Sequence, residues 1–593
     1  MWKSAVTDAR LFQIRRFAVL PFAMPDLVIG GRRASAPRPW RAGVIALAMV
    51  GVAVVVAWFI YRRSVAYDVP PGDVQGEISS VQVGPAAPAT PPVLGYAGSS
   101  LAWLGGVAVL RVTGDAHAIG AAHGRLLAPW LLPVTAAAAP SIAATVSRDG
   151  MLGGLTHGIR LAWRWRFIDD GLIDHDRRMV AGLTRGAAAS GVALDYDELL
   201  RDQAVLDVGA PSPRSDEADQ HVIAHSLTLI GMQAQTPTRV WIGRTMALPG
   251  VDDGGDSAVA VVTIAKPEGR IAWAGVGWPG QLGVVAGINA EGIAVLVDPA
   301  RTSDVRVTRT ARPVALLARS VLEQARTLDD AQKLIETTPT LGSAVIVVVD
   351  GTSGKWVQIE RTPSKAIIER NPKSPALGDV LTTNALSSDP ENDRARRMLP
   401  TQSRVERAAR LLRAPLGEVA AMAAILRDRR AADDSARPPG HRGLIDDGRA
   451  VHTVIIDPAS LSLWVADPRS AGRMRAFDLR YELRNEGDRA APAPDIAAES
   501  GVDSDRADGV IAARADLRAA RGALNAGDKA RAAEACARAR TRAPGLPEAI
   551  ELEAIIAQAR GDLVRARAAF QAWIDGGPDD PHGEERARAA LAR

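Results

Sequence analysis

The chain has 593 residues, 47% hydrophobic and 23% charged, with a formal net charge of +4. That is room for two or three globular domains; the mixed signs, sparse aromatics and lack of a basic run in the body exclude a nucleic-acid-binding face. A single cysteine, Cys536, excludes an internal disulfide framework, and it leaves any nucleophile in the upstream body to be a hydroxyl.

Residues 1–41 form a basic tail with Arg15, Arg16, Arg32, Arg33, Arg38 and Arg41 among prolines. Residues 42–61 (AGVIALAMVGVAVVVAWFIY) carry no charge and are long enough to cross a hydrocarbon core. Trp40, Trp58 and Tyr61 stand near the two ends, as interfacial anchors do. The expectation is a single-pass helix in the cytoplasmic (inner) membrane, N-terminus inside and C-terminal body on the extracytoplasmic side. Residues 62–95, rich in Pro, Gly, Ser and Ala, read as a tether.

The body is expected over 96–484. Val107 to Val112 alternates as a strand, and Gly114-Asp115-Ala116-His117 turns into a helix carrying Gly120 and Gly124, spacing that suits close helix packing. His117 and His123 read as structural or surface residues, because no Cys or acidic partner pattern accompanies them; the pattern calls for no metal and no cofactor. Residues 171–206 read as helical and 209–220 as a polar loop. Val222–Ile230 and Arg239–Arg244 then read as two strands around a turn at 235–238. Ser226 lies early in the first strand and Arg244 ends the second. Pro279-Gly280 and Gly287, Asn289 and Gly292 punctuate two more strands. Amphipathic helices follow at 314–324 and 328–337, then strands at 345–349 and 356–360, a strand ending at Asn384, a helix carrying Arg404, and a hairpin at 452–466.

A second linker is expected at 485–508, and an Ala/Arg-rich helical region at 509–593. There Gly527-Asp528 and Gly561-Asp562 lie 34 residues apart, as do Ala532 and Ala566, and Pro544 and Pro578. That is the tetratricopeptide period. Two repeats are few for independent stability, so the unit is expected to pack on the body or on a protein partner. Cys536 reads as a small core residue within it.

These motifs together resemble the acyl-CoA:6-aminopenicillanic acid acyltransferase family of N-terminal-nucleophile hydrolases, over about Val107 to Leu483. The features that carry the resemblance are Gly243-Arg244-Thr245-Met246-Ala247, Pro279-Gly280-Gln281-Leu282-Gly283, Gly287-Ile288-Asn289-Ala290-Glu291-Gly292, the strand ending at Asn384 and the Ser403-Arg404 helix. The resemblance implies an α+β fold, a four-layer αββα sandwich, here flanked by the transmembrane helix and the all-α tail. It implies that Ser226 takes the nucleophile position, that Arg244 steadies the amine and acyl carbonyl, that Asn289 and Asn384 bind the oxyanion and orient the amine, and that Arg404 completes the charge network. The sequence departs from the family at two positions: Ser226 stands for its Cys and Ala247 for its Asp. Asp252, Asp253 or Asp256 could supply the lost charge. Asn residues also cap turns, which is the structural reading of Asn289 and Asn384. The function implied is self-processing hydrolysis or acyl transfer on an N-acyl amide or similar small amide. The alternative is an inactive relative that serves as a scaffold through its tail.

Overall fold

The computed structural model describes residues 38–592 except 82–92, 144–145, 147–149, 209–224, 237, 249–258, 301, 303–305, 371–378, 384, 389–400, 468–471, 487–493, 499–503 and 579–580. The chain divides into two compact units, Met1–Arg63 and Ser64–Arg593. In the first unit, helix α1 (Arg38–Val65) begins. Its stretch Ala46–Val65, 20 residues with mean hydropathy 1.6, is long and apolar enough to cross a membrane.

The second unit holds two sheets. The larger runs in spatial order β1 (Ser79–Val81), β2 (Val93–Tyr96), β3 (Ser99–Leu104), β4 (Val107–Gly114), β7 (Val261–Pro267), β8 (Trp273–Gly277), β9 (Ala286–Asn289), β10 (Ile293–Ala300), β11 (Ser343–Asp350), β12 (Trp356–Arg361) and β13 (Ala366–Arg370). The smaller runs β14 (Asp379–Thr383), β5 (His225–Met232), β6 (Val240–Ala247), β15 (His452–Asp457), β16 (Ser462–Ala466) and β17 (Met474–Asp478). Neighbours are antiparallel except β4 and β7, which run parallel. Apolar residues at alternate positions of both sheets form one buried layer between them, including Ile230, Ile242 and Val454 from the smaller sheet and Ala286, Ile288, Ala294 and Leu296 from the larger.

Helices cover the outer faces. Over the larger sheet lie α2 (Ala116–Leu126), α3 (Ala128–Ala143), α4 (Gly150–Trp165), α5 (Asp174–Ala189), α6 (Tyr196–Asp202), α7 (Val314–Gln324) and α8 (Leu328–Thr337), whose buried residues share a core with that sheet. Over the smaller sheet, α9 (Thr401–Leu411) and α10 (Val419–Leu426) pack Ala408 and Met422 against Leu227 and Leu229. The glycines of α2 and α5 interlock: a Cβ at Gly120 would run into the Met179 carbonyl, and one at Gly182 into the His117 carbonyl. This is the close packing that the Gly120/Gly124 spacing predicts.

Two segments expected as free linkers are partly packed. In the first, Tyr67 donates to the Trp165 carbonyl at 3.0 Å, Arg185 donates to the Pro70 carbonyl at 2.6 Å, and β1 extends the sheet edge. In the second, Asp495 pairs with Arg473 and Arg475, both at 3.1 Å. Composition alone hides such contacts, because a single aromatic or carboxylate suffices to pin a Pro/Gly-rich strand.

After α11 (Leu479–Arg484), the tail forms α12 (Ser504–Asn525), α13 (Lys529–Arg542), α14 (Pro547–Arg560), α15 (Leu563–Asp575) and α16 (Pro581–Ala592). The 34-residue offset is visible in the caps: Asp528 accepts from Arg531 N at 3.0 Å and Asp562 from Arg565 N at 3.1 Å, each after a glycine with φ of 82°. Cys536 is buried among the tail's alanines and leucines. The tail packs on the body: Arg514 donates to the Gly448 carbonyl at 2.8 Å, Arg449 pairs with Glu548, and Leu546 fills the space beside Gly440.

Candidate active site

Strand alternation sets the site. Ile230, Ile242 and Val454 face the inter-sheet layer, so Ser226 and Thr228 of β5, Arg244 and Met246 of β6, and His452 of β15 face it too. On the opposing sheet Ala294 and Leu296 face inward, and so does Asp298. Register arranges the smaller sheet's residues in two rows: Ser226 lies opposite Met246, which lies opposite His452; Thr228 lies opposite Arg244, which lies opposite Val454. All of these side chains are buried.

Arg244 is the centre of the cluster. Its guanidinium donates to the carbonyls of Val285 and Val297, touches Met246 Sδ at 3.2 Å and pairs with Asp298 at 3.5 Å. Burial lowers its pKa, and the Asp298 carboxylate opposes that shift. Arg404, fully enclosed on α9, is likewise shifted down by burial, with Asp447 and Asp298 opposing and Arg442 reinforcing. Asp298 is therefore a counter-charge common to both arginines. The His452 pKa is pushed down to about 3, by burial first and then by Arg244, so its ring is neutral. Neither His452 nitrogen has a hydrogen-bond partner among the described residues, nor has Thr228 Oγ1. Buried polar atoms are usually hydrogen-bonded, so these three stand out within the inter-sheet layer.

The structure thus brings Ser226, Arg244 and Arg404 into one charged neighbourhood. Asn289 is elsewhere. Its Nδ2 donates to the carbonyls of Leu322 and Ala325 at 3.0 and 2.8 Å, and its Oδ1 accepts from Glu291 N and Ile293 N, both at 3.0 Å. Every hydrogen-bonding site of the amide is filled. Ile288 faces the inter-sheet layer, so Asn289 points to the helix side, about 13 Å along the strand from Val285. Here it performs the turn-capping role of the structural reading and offers no donor to the Arg244 cluster. Asn384, Asp252, Asp253 and Asp256 lie outside the described residues.

Asp298, His452 and Thr228 are the residues that sequence reasoning missed. Each carried a signal: a carboxylate inside the apolar run Ile293–Ala300, a histidine opening an apolar strand, and a hydroxyl one pleat period after Ser226.

The Pro279–Gly283 loop is a support beside the cluster. His123, whose pKa burial lowers to about 4, accepts from Gly280 N at 2.9 Å; Gln203 accepts from Leu282 N at 2.8 Å and donates to the Gly280 carbonyl at 2.9 Å. Arg319 donates to the Leu282 carbonyl at 2.8 Å and is itself held by Asp176 and, at 3.3 Å, Glu323. A cleft of about 760 Å³ lined by Arg270, Glu291, Glu323 and Arg326 opens at the Asn289 end of the sheet, not beside Arg244. Among the described residues no three His, Cys, Asp or Glu side chains group as a metal site.

Residues 256–469 match the family described as acyl-coenzyme A:6-aminopenicillanic acid acyl-transferase. The match includes Asn289, Asp298, Arg404 and His452, and begins after Ser226 and Arg244. No curated protein matches. Among solved structures the chain is similar to the Caenorhabditis elegans N-acylethanolamine-hydrolyzing acid amidase ortholog, at 15% identity over 39% of this chain and 93% of that one, with a TM-score of 0.29. It is also similar to a mutant of the conjugated bile acid hydrolase from Clostridium perfringens, at 12% identity over 46% of this chain and 98% of that one, with a TM-score of 0.27.

Proposed function

We propose, from the acyl-coenzyme A:6-aminopenicillanic acid acyl-transferase segment at residues 256–469, that the chain is a membrane-anchored N-terminal-nucleophile amidohydrolase or acyltransferase acting on a small N-acyl amide. The observation that carries the reading is the buried Arg244–Asp298 pair beside two inward hydroxyls on β5. An amide needs a nucleophile, a base and positive charge where the oxyanion develops. Arg244 supplies the charge in a site shielded from water, and Arg404 adds to it through Asp298.

The nucleophile reads as Ser226. Its hydroxyl attacks the carbonyl carbon of His225; the C–N bond breaks, the hydroxyl proton passes to the departing nitrogen, and an ester forms. Water then cleaves the ester, leaving a His225 carboxylate and a free Ser226 α-amine. That amine, with an unperturbed pKa near 8, is the base for later turnover. A second reading is favoured by one observation. Thr228 lies directly opposite Arg244, and its hydroxyl makes no hydrogen bond among the described residues, so the same steps can run at the Leu227–Thr228 bond. The tail, read as tetratricopeptide-like, is a docking unit for a protein partner.

The test is incubation of the full chain with a panel of N-acyl amides, with release of free amine as readout. Release that Arg244→Ala abolishes in a chain shown to remain folded supports the enzyme. No release from a chain shown to be folded and cut supports the scaffold alternative, which the absent carboxylate at Ala247 favours.

A further inference from the structure

Helix α4, GMLGGLTHGIRLAWRW, carries no acidic residue. Leu155, Ile159 and Trp163 recur every fourth position and form one stripe, and they are 75%, 45% and 48% exposed. The other side of the helix does the packing: Trp165 is fully buried and Leu161 lies against the core. A side chain added at Gly154 or Gly158, on the same side as Trp165, would meet nothing within 4 Å.

Arginines surround the stripe. Arg160 and Arg164 are exposed on its flank. Arg166 stacks on Trp163 at 4.0 Å and on Phe167 at 4.2 Å, and Arg309, itself 68% exposed, stacks on Phe167 at 4.4 Å. The nearest acids downstream are engaged: Asp170 pairs with Arg309, and Asp169 is buried, accepting from Tyr196 at 2.6 Å.

We infer that this face of α4 docks on an anionic lipid surface. An apolar stripe holding a tryptophan, flanked by arginines and free of acids, is the composition of a helix that lies in the plane of a bilayer interface. Arginines attract anionic headgroups, while three partly exposed apolar side chains alone bind weakly. Such a surface works when the bilayer is already tethered to the chain. For that tether the inference rests on the anchored reading of the helix at Ala46–Val65.

The single cysteine, Cys536, is buried, so Leu155→Cys in the full chain gives one reactive site for an environment-sensitive dye. The chain is placed in vesicles of phosphatidylcholine alone or mixed with phosphatidylglycerol. With phosphatidylglycerol the dye should shift to the blue and become quenchable by nitroxide lipids. The combined change Arg160→Glu, Arg164→Glu and Arg166→Glu should abolish that shift while the chain stays in the pellet. A dye that remains water-exposed on anionic vesicles overturns the inference, and so does an equal, concentration-dependent shift in detergent, which would mean that a second copy covers the face. Release of the chain by salt would sink the anchored reading; the dye's emission on anionic vesicles decides the docking in either case.

Discussion

Thr228 and Arg244 stand directly opposite each other across β5 and β6, one with a hydroxyl that no described group engages, the other with a guanidinium held by two carbonyls and Asp298. The arginine is fixed by the opposing sheet, through the carbonyls of Val285 and Val297 and the Asp298 carboxylate.

Removing one partner of the buried pair should be costly. Arg244→Ala strips Asp298 of a counter-charge and should destabilise the fold by about 3–5 kcal/mol. Pairing Arg244→Met with Asp298→Asn removes both charges, and that double variant should be more stable in urea than Arg244→Ala alone. Additive losses across a double-mutant cycle would show that the two groups are not coupled.

Stability should fall with acid through His452. Its folded pKa of about 3 lies below its ordinary 6.5, so below pH 6.5 the unfolded chain binds a proton that the folded chain refuses. Stability is then fully present above pH 6.5 and is lost as pH drops towards 3, with a slope approaching about 1.4 kcal/mol per pH unit. His123, lowered to about 4, adds in the same direction. His452→Phe should flatten the slope measured by denaturant titration, and an unchanged slope would mean that His452 is already protonated in the fold.

The α2–α5 contact offers a paired test. Gly120→Ala would drive a methyl into the Met179 carbonyl and should cost about 1–3 kcal/mol. Gly158→Ala, where the new methyl meets nothing within 4 Å, should be neutral or gain up to about 1 kcal/mol from helix propensity. Equal effects of the two in thermal unfolding would contradict the interlocked geometry.

Much of this fold was legible in the sequence. The helices at Val314–Gln324 and Leu328–Thr337 and the strand at His452–Asp457 fall where periodicity predicts them, because each is a clean amphipathic or alternating run. Ser226, Arg244 and Arg404, candidates from the sequence, are all buried. Asn289 was misleading because a turn cap and an oxyanion donor share the same Gly-x-Asn-x-x-Gly spelling; only the strand's facing separates them. Asp298 was hidden because its partner comes from a different sheet, 54 residues away in sequence.

The tail's packing was half legible. Sequence reading expects it to pack on the body or a partner, and it packs on the 437–449 stretch that carries Arg442 and Asp447. Deleting 509–593 should leave the two sheets intact, since their three cores contain no tail residue. Amide exchange in 440–449 should rise roughly tenfold, the effect of losing about 1.4 kcal/mol of local stability. Unchanged exchange there would show that the contact is not stabilising.

If a hydroxyl on the inward row of β5 cuts the chain before itself, N-terminal sequencing of the purified protein's fragments will show it. The expected fragment begins Ser226-Leu227-Thr228, or Thr228-Leu229-Ile230 if the residue opposite Arg244 is the nucleophile. Alanine at the cutting residue, and not at the other, should leave one intact chain. A wild-type chain that is folded by circular dichroism yet shows a single intact mass, unchanged by Ala247→Asp, would mean that neither hydroxyl cuts.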